Sequence, residues 1–221
     1  MKCLLLSINN IDENYIYKIL KEDITQNMKV LCIPFASDIN WLGEKGHIEL
    51  NIGGEFYNKH FKPFSKYGIS ENNFYVTKLI DDEYFIKQKI IESDIIYFSG
   101  GKPENISFLL YYKNLIDHLI KVKSNKIFIG ESAGSMVLQD KYTITPHVDP
   151  DYKMFCKKEG LGIIDTTDLL VHYDITNKKH RLNLKITKFF NFGKKKVIAI
   201  SDHGAVYIKD DTIQMIGEVY N

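Results

Sequence analysis

One short segment of the chain places a serine between two glycines, directly after a run of apolar residues. The segment IFIGESAG covers residues 127–134. A strand, the pattern G-x-S-x-G and a helix together form a nucleophile elbow, a sharp turn that lifts the serine hydroxyl out of the sheet. The next backbone N–H, that of Ala133, can then stabilise an oxyanion. A tight turn with Ser132 as a helix cap would give the same five letters, but the flanking strand and helix patterns favour a nucleophile.

A serine nucleophile needs a base, and the chain has seven histidines. His172 ends the apolar run 168–171, so it is expected at the C-terminal end of a strand, where open α/β sheets build their sites. His203 also follows a strand-like run. His60 and His118 fall in amphipathic helical patterns and are expected at the surface or its boundary. The remaining histidines lie in polar or loop-like surroundings: His47, His147 and His180.

A second loop has the composition of an oxyanion-binding turn. The run 94–98 is strand-like and ends in Ser99-Gly100-Gly101, just before a helical pattern. Backbone N–H groups in such a loop can complete an oxyanion hole. An ordinary strand-to-helix turn that needs glycine for a positive φ would look the same.

Strand-length apolar runs alternate with segments of helical periodicity over most of the chain, which predicts βαβ units around a parallel sheet. We expect a single domain over residues 1–221. The strand-like runs are Cys3–Ile8, Val30–Phe35, Phe74–Leu79, Asp94–Phe98, Lys126–Ile129, Leu169–Val171 and Val197–Ile200. The helical segments are Ile11–Lys21, Phe56–Tyr67, Glu83–Ile91, Ile106–Val122 and Lys178–Phe190.

The C-terminal region has a different pattern. Two strand-like segments, 204–209 and 212–219, flank Asp210-Asp211, a pair typical of a hairpin turn. Antiparallel strands are therefore expected there.

Composition argues against several classes of function. Lys and Arg total 29 against 28 Asp and Glu, a net charge of +1, so no basic field would gather nucleic acid or an acidic membrane. No metal-ligand spacing, P-loop or dinucleotide fingerprint occurs. We expect no metal, no cofactor, and neither a nucleic acid nor a membrane as partner.

The cysteines and the N-terminus suggest a location. The chain has three cysteines, an odd number without paired spacing, which is typical of reduced thiols. The N-terminus lacks the long apolar stretch and cleavage site of a secretory signal, and no apolar run approaches the length of a membrane span. A cytoplasmic protein is the expectation.

These features together resemble the peptidase E and cyanophycinase family of serine peptidases, also called aspartyl dipeptidases. The resemblance rests on the elbow at 130–134, on Gly100-Gly101, and on LVHY at 170–173, about forty residues past the serine. It extends to IPFAS at 33–37 and ISDHGAVY at 200–207, the latter matching a strand–turn–strand. The resemblance implies an α/β three-layer sandwich like that of class I glutamine amidotransferases, with a mostly parallel central sheet.

The resemblance also implies roles for individual residues. Ser132 would be the nucleophile and His172 the general base. Gly101 and Ala133 would supply the oxyanion N–H groups. Either Asp149 or Asp202 would orient the histidine. Asp202 is favoured slightly, because a strand end holds a side chain more rigidly than a loop does.

Three residues are candidates for substrate binding. Gly100 belongs to a loop that lines the site, although residues 102–110 depart from the family's usual sequence there. Glu131 is either a solvated residue of the elbow or a group that binds a substrate ammonium. Arg181, the sole arginine, is either part of a solvated helix start or a reader of an acidic side chain, because its planar fork suits a carboxylate.

The sequence therefore predicts a serine peptidase of the peptidase E type. It would hydrolyse dipeptides or short peptides, including those with N-terminal aspartate, as a monomer or a homodimer. One alternative is an α/β-hydrolase-type esterase with His203 as base and Asp168 or Asp174 as acid. The other is a non-catalytic binding protein on an amidotransferase-like scaffold.

Overall fold

The structure is a computed structural model that describes residues 1–37, 44–145, 156–191, 194–210 and 212–221. The strands within these ranges are β1 Lys2–Leu6, β2 Val30–Ile33, β3 Phe74–Val76, β4 Ile95–Phe98, β5 Ile127–Glu131, β6 Lys141–Ile144, β7 Cys156–Glu159, β8 Thr167–Leu170, β9 Lys196–Lys209 and β10 Thr212–Tyr220. The helices are α1 Asn14–Leu20, α2 Glu44–Glu49, α3 Glu55–Ser65, α4 Glu83–Glu92, α5 Pro103–Tyr112, α6 Ile116–Val122, α7 Ala133–Val137 and α8 Lys178–Phe190.

Eight of the described strands form one mostly parallel sheet. Its order is β10-β9-β1-β5-β4-β2-β3, and β8 pairs with the first half of β9. The pairs from β1 through β5, β4 and β2 to β3 are parallel, whereas β9 runs antiparallel to β1 and to β10. The predicted fold class, with its antiparallel strand pair at the C-terminal end, is confirmed.

Helices cover both faces of this sheet and make three layers. Alternate residues of β1 point to opposite faces, so Leu5 joins one apolar cluster while Leu4 joins the other. The Leu5 cluster includes residues of α4, α5, α6 and α7, and the Leu4 cluster includes residues of α1 and α3. Burial on both faces explains why the central strands are apolar at nearly every position.

One predicted helix is two helices in the structure. Helical periodicity runs through residues 106–122, but α5 ends at Tyr112 and α6 begins at Ile116. Asn114 between them has a φ of 51°, and the Leu115 N–H donates to the Leu110 carbonyl. Asparagine adopts this left-handed conformation more readily than most residues, so it ends a helix without breaking the apolar periodicity around it.

The strand–turn–strand expected near the C-terminus is one continuous strand in the structure. Residues 200–207 were expected to contain a turn, yet β9 runs unbroken from Lys196 to Lys209. Its pairing with β10 shifts: Gly204 faces Gly217, whereas Ile200 faces Val219. Residues 201–203 therefore bulge opposite one residue of β10, and Asp202 is exposed in the middle of a strand.

Two further elements were not predicted from the sequence. β6 and β7 form a separate antiparallel pair, and α2 lies between β2 and α3. Within the described ranges, no helix has both the length and the apolar character needed to cross a membrane.

Candidate active site

The predicted elbow has the backbone of a sharp turn. Ser132 stands between the last residue of β5 and the first of α7, with φ 50° and ψ −112°. Its N–H donates to the Leu6 carbonyl at 2.8 Å, which ties the turn to the neighbouring strand β1. A non-glycine residue in this region is strained, and such strain is typical of functional turns.

The glycines on either side of Ser132 are required by close packing. A Cβ on Gly130 would collide with the backbone of Ser135, and one on Gly134 would overlap the Phe98 carbonyl oxygen in β4. The start of α7 therefore packs directly on the strand backbones. This contact explains in physical terms why the elbow has the spacing G-x-S-x-G.

His172 reaches the serine from the end of β8. Its Nε2 lies 2.8 Å from Ser132 Oγ. The residue has a φ of 53°, and its N–H donates to Ser7 Oγ at 2.9 Å. Ser7 is fully buried and donates in turn to the Ile200 carbonyl at 2.8 Å. A side chain from the end of β1 thus links the His172 backbone to β9.

Asp202 is the acid that meets this histidine. Its Oδ1 lies 2.7 Å from His172 Nδ1, and the Asp202 carbonyl accepts a bond from Asn10 Nδ2 at 3.0 Å. A proton on Nδ1 directed at the carboxylate leaves Nε2 free to accept the Ser132 hydroxyl proton. The competing candidate, Asp149, lies outside the described residues. The His172 and Asp202 side chains are 38% and 50% exposed, so this end of the site is open to solvent.

The Gly-Gly loop approaches the elbow from the end of β4. Gly101 has a φ of 138°, and a Cβ there would overlap the Ala36 carbonyl oxygen, so only glycine fits. Gly100 lies beside Ser132, since a Cβ on Gly100 would be 3.3 Å from the serine Cβ. Within the described ranges, neither the Gly101 nor the Ala133 N–H donates to a backbone acceptor. Both groups are therefore available for an oxyanion.

Glu131 is not a solvated elbow residue, so that expectation is wrong. The residue is 8% exposed, because its side chain turns under the elbow toward α3. Tyr97 donates a short hydrogen bond to Glu131 Oε2, and His60 Nδ1 lies 2.8 Å from the Tyr97 hydroxyl. The expectation that His60 lies at the surface or its boundary is also wrong, since it is 3% exposed. Burial, followed by the charge of Lys59, lowers the pKa of His60 to about 3.

Arg181 contacts the loop that follows the catalytic candidate His172. Its guanidinium donates to the carbonyls of Ile175 and Thr176 at 2.6 and 3.0 Å. These bonds brace the connection between β8 and α8. A role in reading an acidic substrate side chain stays a prediction.

The residues required by the esterase alternative lie in other environments. Asp168 is buried and accepts bonds from Thr143 and Asn191. Asp174 accepts bonds from Thr176, within its own loop. The hydrogen bonds found in the described ranges do not connect the ring of His203 to Ser132. The histidine that meets the serine is His172, as the peptidase interpretation expects.

Four residues of the site were missed by sequence reasoning. Ser7 and Asn10 follow β1, and the polar sequence Ser-Ile-Asn-Asn directly after an apolar strand was the available signal. Tyr97 and His60 lay hidden in apolar and amphipathic patterns, which carry no signal for a polar network.

Comparison with known proteins agrees with this fold. The sequence profile of peptidase family S51 matches residues 4–216. The uncharacterized peptidase Lmo0363 of Listeria monocytogenes is 29% identical over 130 residues, an alignment that covers 56% of this chain and 60% of that protein. The remaining part of that relative is not matched.

Two solved structures share the fold. A Listeria monocytogenes EGD-e protein assigned as peptidase E superposes with a TM-score of 0.68 at 18% identity, covering 98% of each chain. A peptidase from an acI-B1 Actinobacterium gives a TM-score of 0.67 at 18% identity, covering 99% of this chain and 88% of its own. At 18% identity, these two likenesses show a shared fold alone. The family profile, in contrast, matches nearly the whole sequence of the chain. The chain therefore belongs to peptidase family S51.

Proposed function

We propose that this peptidase hydrolyses dipeptides or short peptides through a Ser132–His172–Asp202 triad and an acyl-enzyme. One observation carries the proposal. Ser132 Oγ lies 2.8 Å from His172 Nε2, and His172 Nδ1 lies 2.7 Å from Asp202 Oδ1, a continuous line of hydrogen-bonding atoms from nucleophile to acid.

Acylation follows from the order of these atoms. Ser132 Oγ attacks the scissile carbonyl carbon while His172 Nε2 takes the hydroxyl proton. Asp202 holds the ring and stabilises the imidazolium that forms. The tetrahedral intermediate then collapses, the carbon–nitrogen bond breaks, and the same proton passes from Nε2 to the leaving amine.

Deacylation repeats these steps with water. His172 removes a proton from a water molecule as it attacks the acyl carbon, and it returns that proton to Ser132 Oγ when the ester bond breaks. The 38% exposure of the His172 side chain gives water a direct route to the base.

The oxyanion would be held by two backbone N–H groups. Those of Gly101 and Ala133 have no competing backbone acceptor among the described residues, and Gly100 lies against the nucleophile. Donors fixed by the backbone stabilise developing charge without reorganising, an effect worth about 3–4 kcal/mol per donor in other serine hydrolases.

The restriction to short peptides, including those with N-terminal aspartate, rests on the resemblance to the aspartyl dipeptidases. The site lies above the C-terminal ends of β1, β5 and β8, where loops from several strands meet. Arg181 would bind an acidic substrate side chain only if its guanidinium gave up its hydrogen bonds to the Ile175 and Thr176 carbonyls.

The first experiment is active-site labelling. Intact-mass spectrometry after treatment with a fluorophosphonate should show one adduct on the native protein, and none on Ser132→Ala. A panel of dipeptides led by Asp-Xaa and Ala-Xaa then measures the substrate class. Absence of an adduct on the native protein would overturn the proposed nucleophile.

Variants of the partners test the triad. His172→Ala should lower kcat by at least about 1000-fold, as loss of a triad base does elsewhere. Asp202→Asn should lower it by about 100-fold, less than for a buried acid, because solvent can also support this exposed imidazolium. His203→Ala is the matched control and should keep native activity. A loss with His203→Ala and not with His172→Ala would favour the esterase alternative.

A further inference from the structure

A buried carboxylate lies next to the proposed nucleophile, and none of the steps above uses it. Glu131 is the last residue of β5 and precedes Ser132, yet it is only 8% exposed. A buried carboxylate is costly unless its oxygens are bonded. The contacts of Glu131 therefore indicate what this position is for.

One oxygen of Glu131 is held by the protein. Burial lowers the pKa of His60 to about 3, so its ring is neutral near pH 7. Burial, followed by the Glu131 charge, raises the pKa of Tyr97, so the phenol keeps its proton. With Nδ1–H of His60 donating to the Tyr97 oxygen, Tyr97 donates to Glu131 Oε2. The Tyr97 hydroxyl, itself held by His60, thus fixes Glu131 Oε2 in one orientation.

The other oxygen lies next to the nucleophile. A Cβ on Gly100 would be 3.5 Å from Glu131 Oε1 and 3.3 Å from Ser132 Cβ. Since Gly100 has no side chain, nothing of that residue separates the carboxylate from the space beside the serine. The hydrogen bonds of the described ranges engage Oε2 and leave Oε1 unused.

A second buried polar group lies at the ends of the same two strands. Ser99 lies one residue beyond the last paired positions of β4 and β5, Phe98 and Gly130. It is 1% exposed, and its Oγ has no hydrogen-bond partner among the described residues. Ser99 therefore offers a hydrogen-bond acceptor at the ends of the same two strands as Glu131.

We propose that Glu131 is the residue that binds the free α-ammonium group of the substrate's N-terminal residue. This inference rests on the proposed function. An ammonium group offers positive charge for Oε1 and further donors for acceptors such as Ser99 Oγ. Glu131 is thereby a specificity-determining residue rather than part of the proton-transfer chain.

Distance favours an α-ammonium over a lysine side chain. The α-nitrogen is about 2.5 Å from the carbonyl carbon of its own residue. That carbon must come within about 3–3.5 Å of Ser132 Oγ to react. An ammonium placed so close to the serine matches Oε1, which shares the Gly100 contact with the serine Cβ. A lysine ammonium would lie several bonds farther away.

The positive charge of the substrate ammonium should also affect the rate of the chemical step. A bare carboxylate beside the serine opposes the negative charge that develops on the oxyanion. A bound ammonium cancels that repulsion, whereas an N-acetylated peptide leaves it in place. Peptides with a free amine should therefore be preferred in kcat as well as in KM.

The test compares peptides that differ only in N-acetylation. For the native enzyme, kcat/KM should be at least about 100-fold higher on the free peptide, the scale of a buried charge pair. Glu131→Gln should reduce this ratio about 100-fold. The matched control is Glu92→Gln, which makes the same charge change at an exposed end of α4 and should keep the native ratio.

The outcomes separate this inference from simpler explanations. A purely structural Glu131 would lower both rates in Glu131→Gln and leave the ratio unchanged, which would overturn the proposal. Equal native rates on free and N-acetylated peptides, or cleavage of neither, would overturn it too. Efficient cleavage of N-acetylated peptides with lysine before the scissile bond would show that Glu131 reads a side chain. Absence of a fluorophosphonate adduct on Ser132 would instead refute the proposed function itself.

Discussion

At the scale of single residues, the position of His172 depends on a side chain 165 positions earlier in the chain. Ser7 Oγ accepts the His172 N–H and donates to the Ile200 carbonyl, so one hydroxyl joins the ends of β1 and β8 to the interior of β9. His172 has a positive φ, which most residues avoid, so its backbone needs such support.

Ser7→Ala should therefore lower kcat about 10-fold while KM changes little. The His172 N–H loses its acceptor, Nε2 moves relative to Ser132 Oγ, and small displacements of a base are costly to rate. Unfolding in urea should show a loss of about 1–3 kcal/mol, the cost of an unsatisfied buried group. Ser124→Ala, at an exposed serine, is the control. Native kcat despite the stability loss would mean that Ser7 serves the fold alone.

At the scale of elements, the bulge in β9 decides where the acid lies. In a regular strand, alternate residues point to opposite faces, and Asp202 would lie in a continuous ladder. The shift between the Gly204–Gly217 and Ile200–Val219 pairs instead exposes Asp202 toward His172. Gly217 supports this shift with a φ of 68°, packed against the His203 carbonyl.

Gly217→Ala should therefore lower kcat/KM about 10-fold. Its Cβ would overlap the His203 carbonyl oxygen and push on the residue next to Asp202. Gly162→Ala is a closely matched control, since Gly162 has a φ of 66° but open space around its missing Cβ. Both variants should lose about 1–3 kcal/mol of unfolding free energy from the positive φ, and only Gly217→Ala should lose activity. Equal activity in the two would argue against a role of the bulge.

At the scale of the whole molecule, the packing of α3 on the sheet links stability to pH through His60. Its pKa is about 3 in the folded chain because of burial, and about 6.5 in the unfolded chain. Between these values the unfolded state binds a proton that the folded state does not. Acidification from pH 6.5 toward pH 3 therefore favours unfolding, by up to about 1.4 kcal/mol per pH unit from this group.

Urea unfolding at pH 7, 6 and 5 measures this dependence. The native protein should lose stability as the pH falls, and His60→Gln should show a shallower loss because its side chain does not titrate. His203→Gln, at an exposed histidine, should retain the native slope. Parallel slopes for the native protein and His60→Gln would show that His60 becomes protonated without unfolding.

The sequence by itself determined the features that depend on near neighbours. Periodicity over a few residues separates strands from helices, so the alternating α/β pattern was readable, and the boundaries of α8 matched those expected. The elbow was readable as well. Its two glycines are required by close contacts with Ser135 and with the adjacent strand β4. These contacts fix the spacing G-x-S-x-G in the sequence.

Only the tertiary structure decided which distant side chains meet. Asp202 reaches His172 through a shift in strand register, and a bulge of this kind leaves no periodic signal in the sequence. Glu131 becomes part of a buried hydrogen-bonded cluster because Tyr97 and His60 come from a neighbouring strand and a covering helix. Residue types and spacing specify which groups are present, whereas register and packing across the sheet specify their partners.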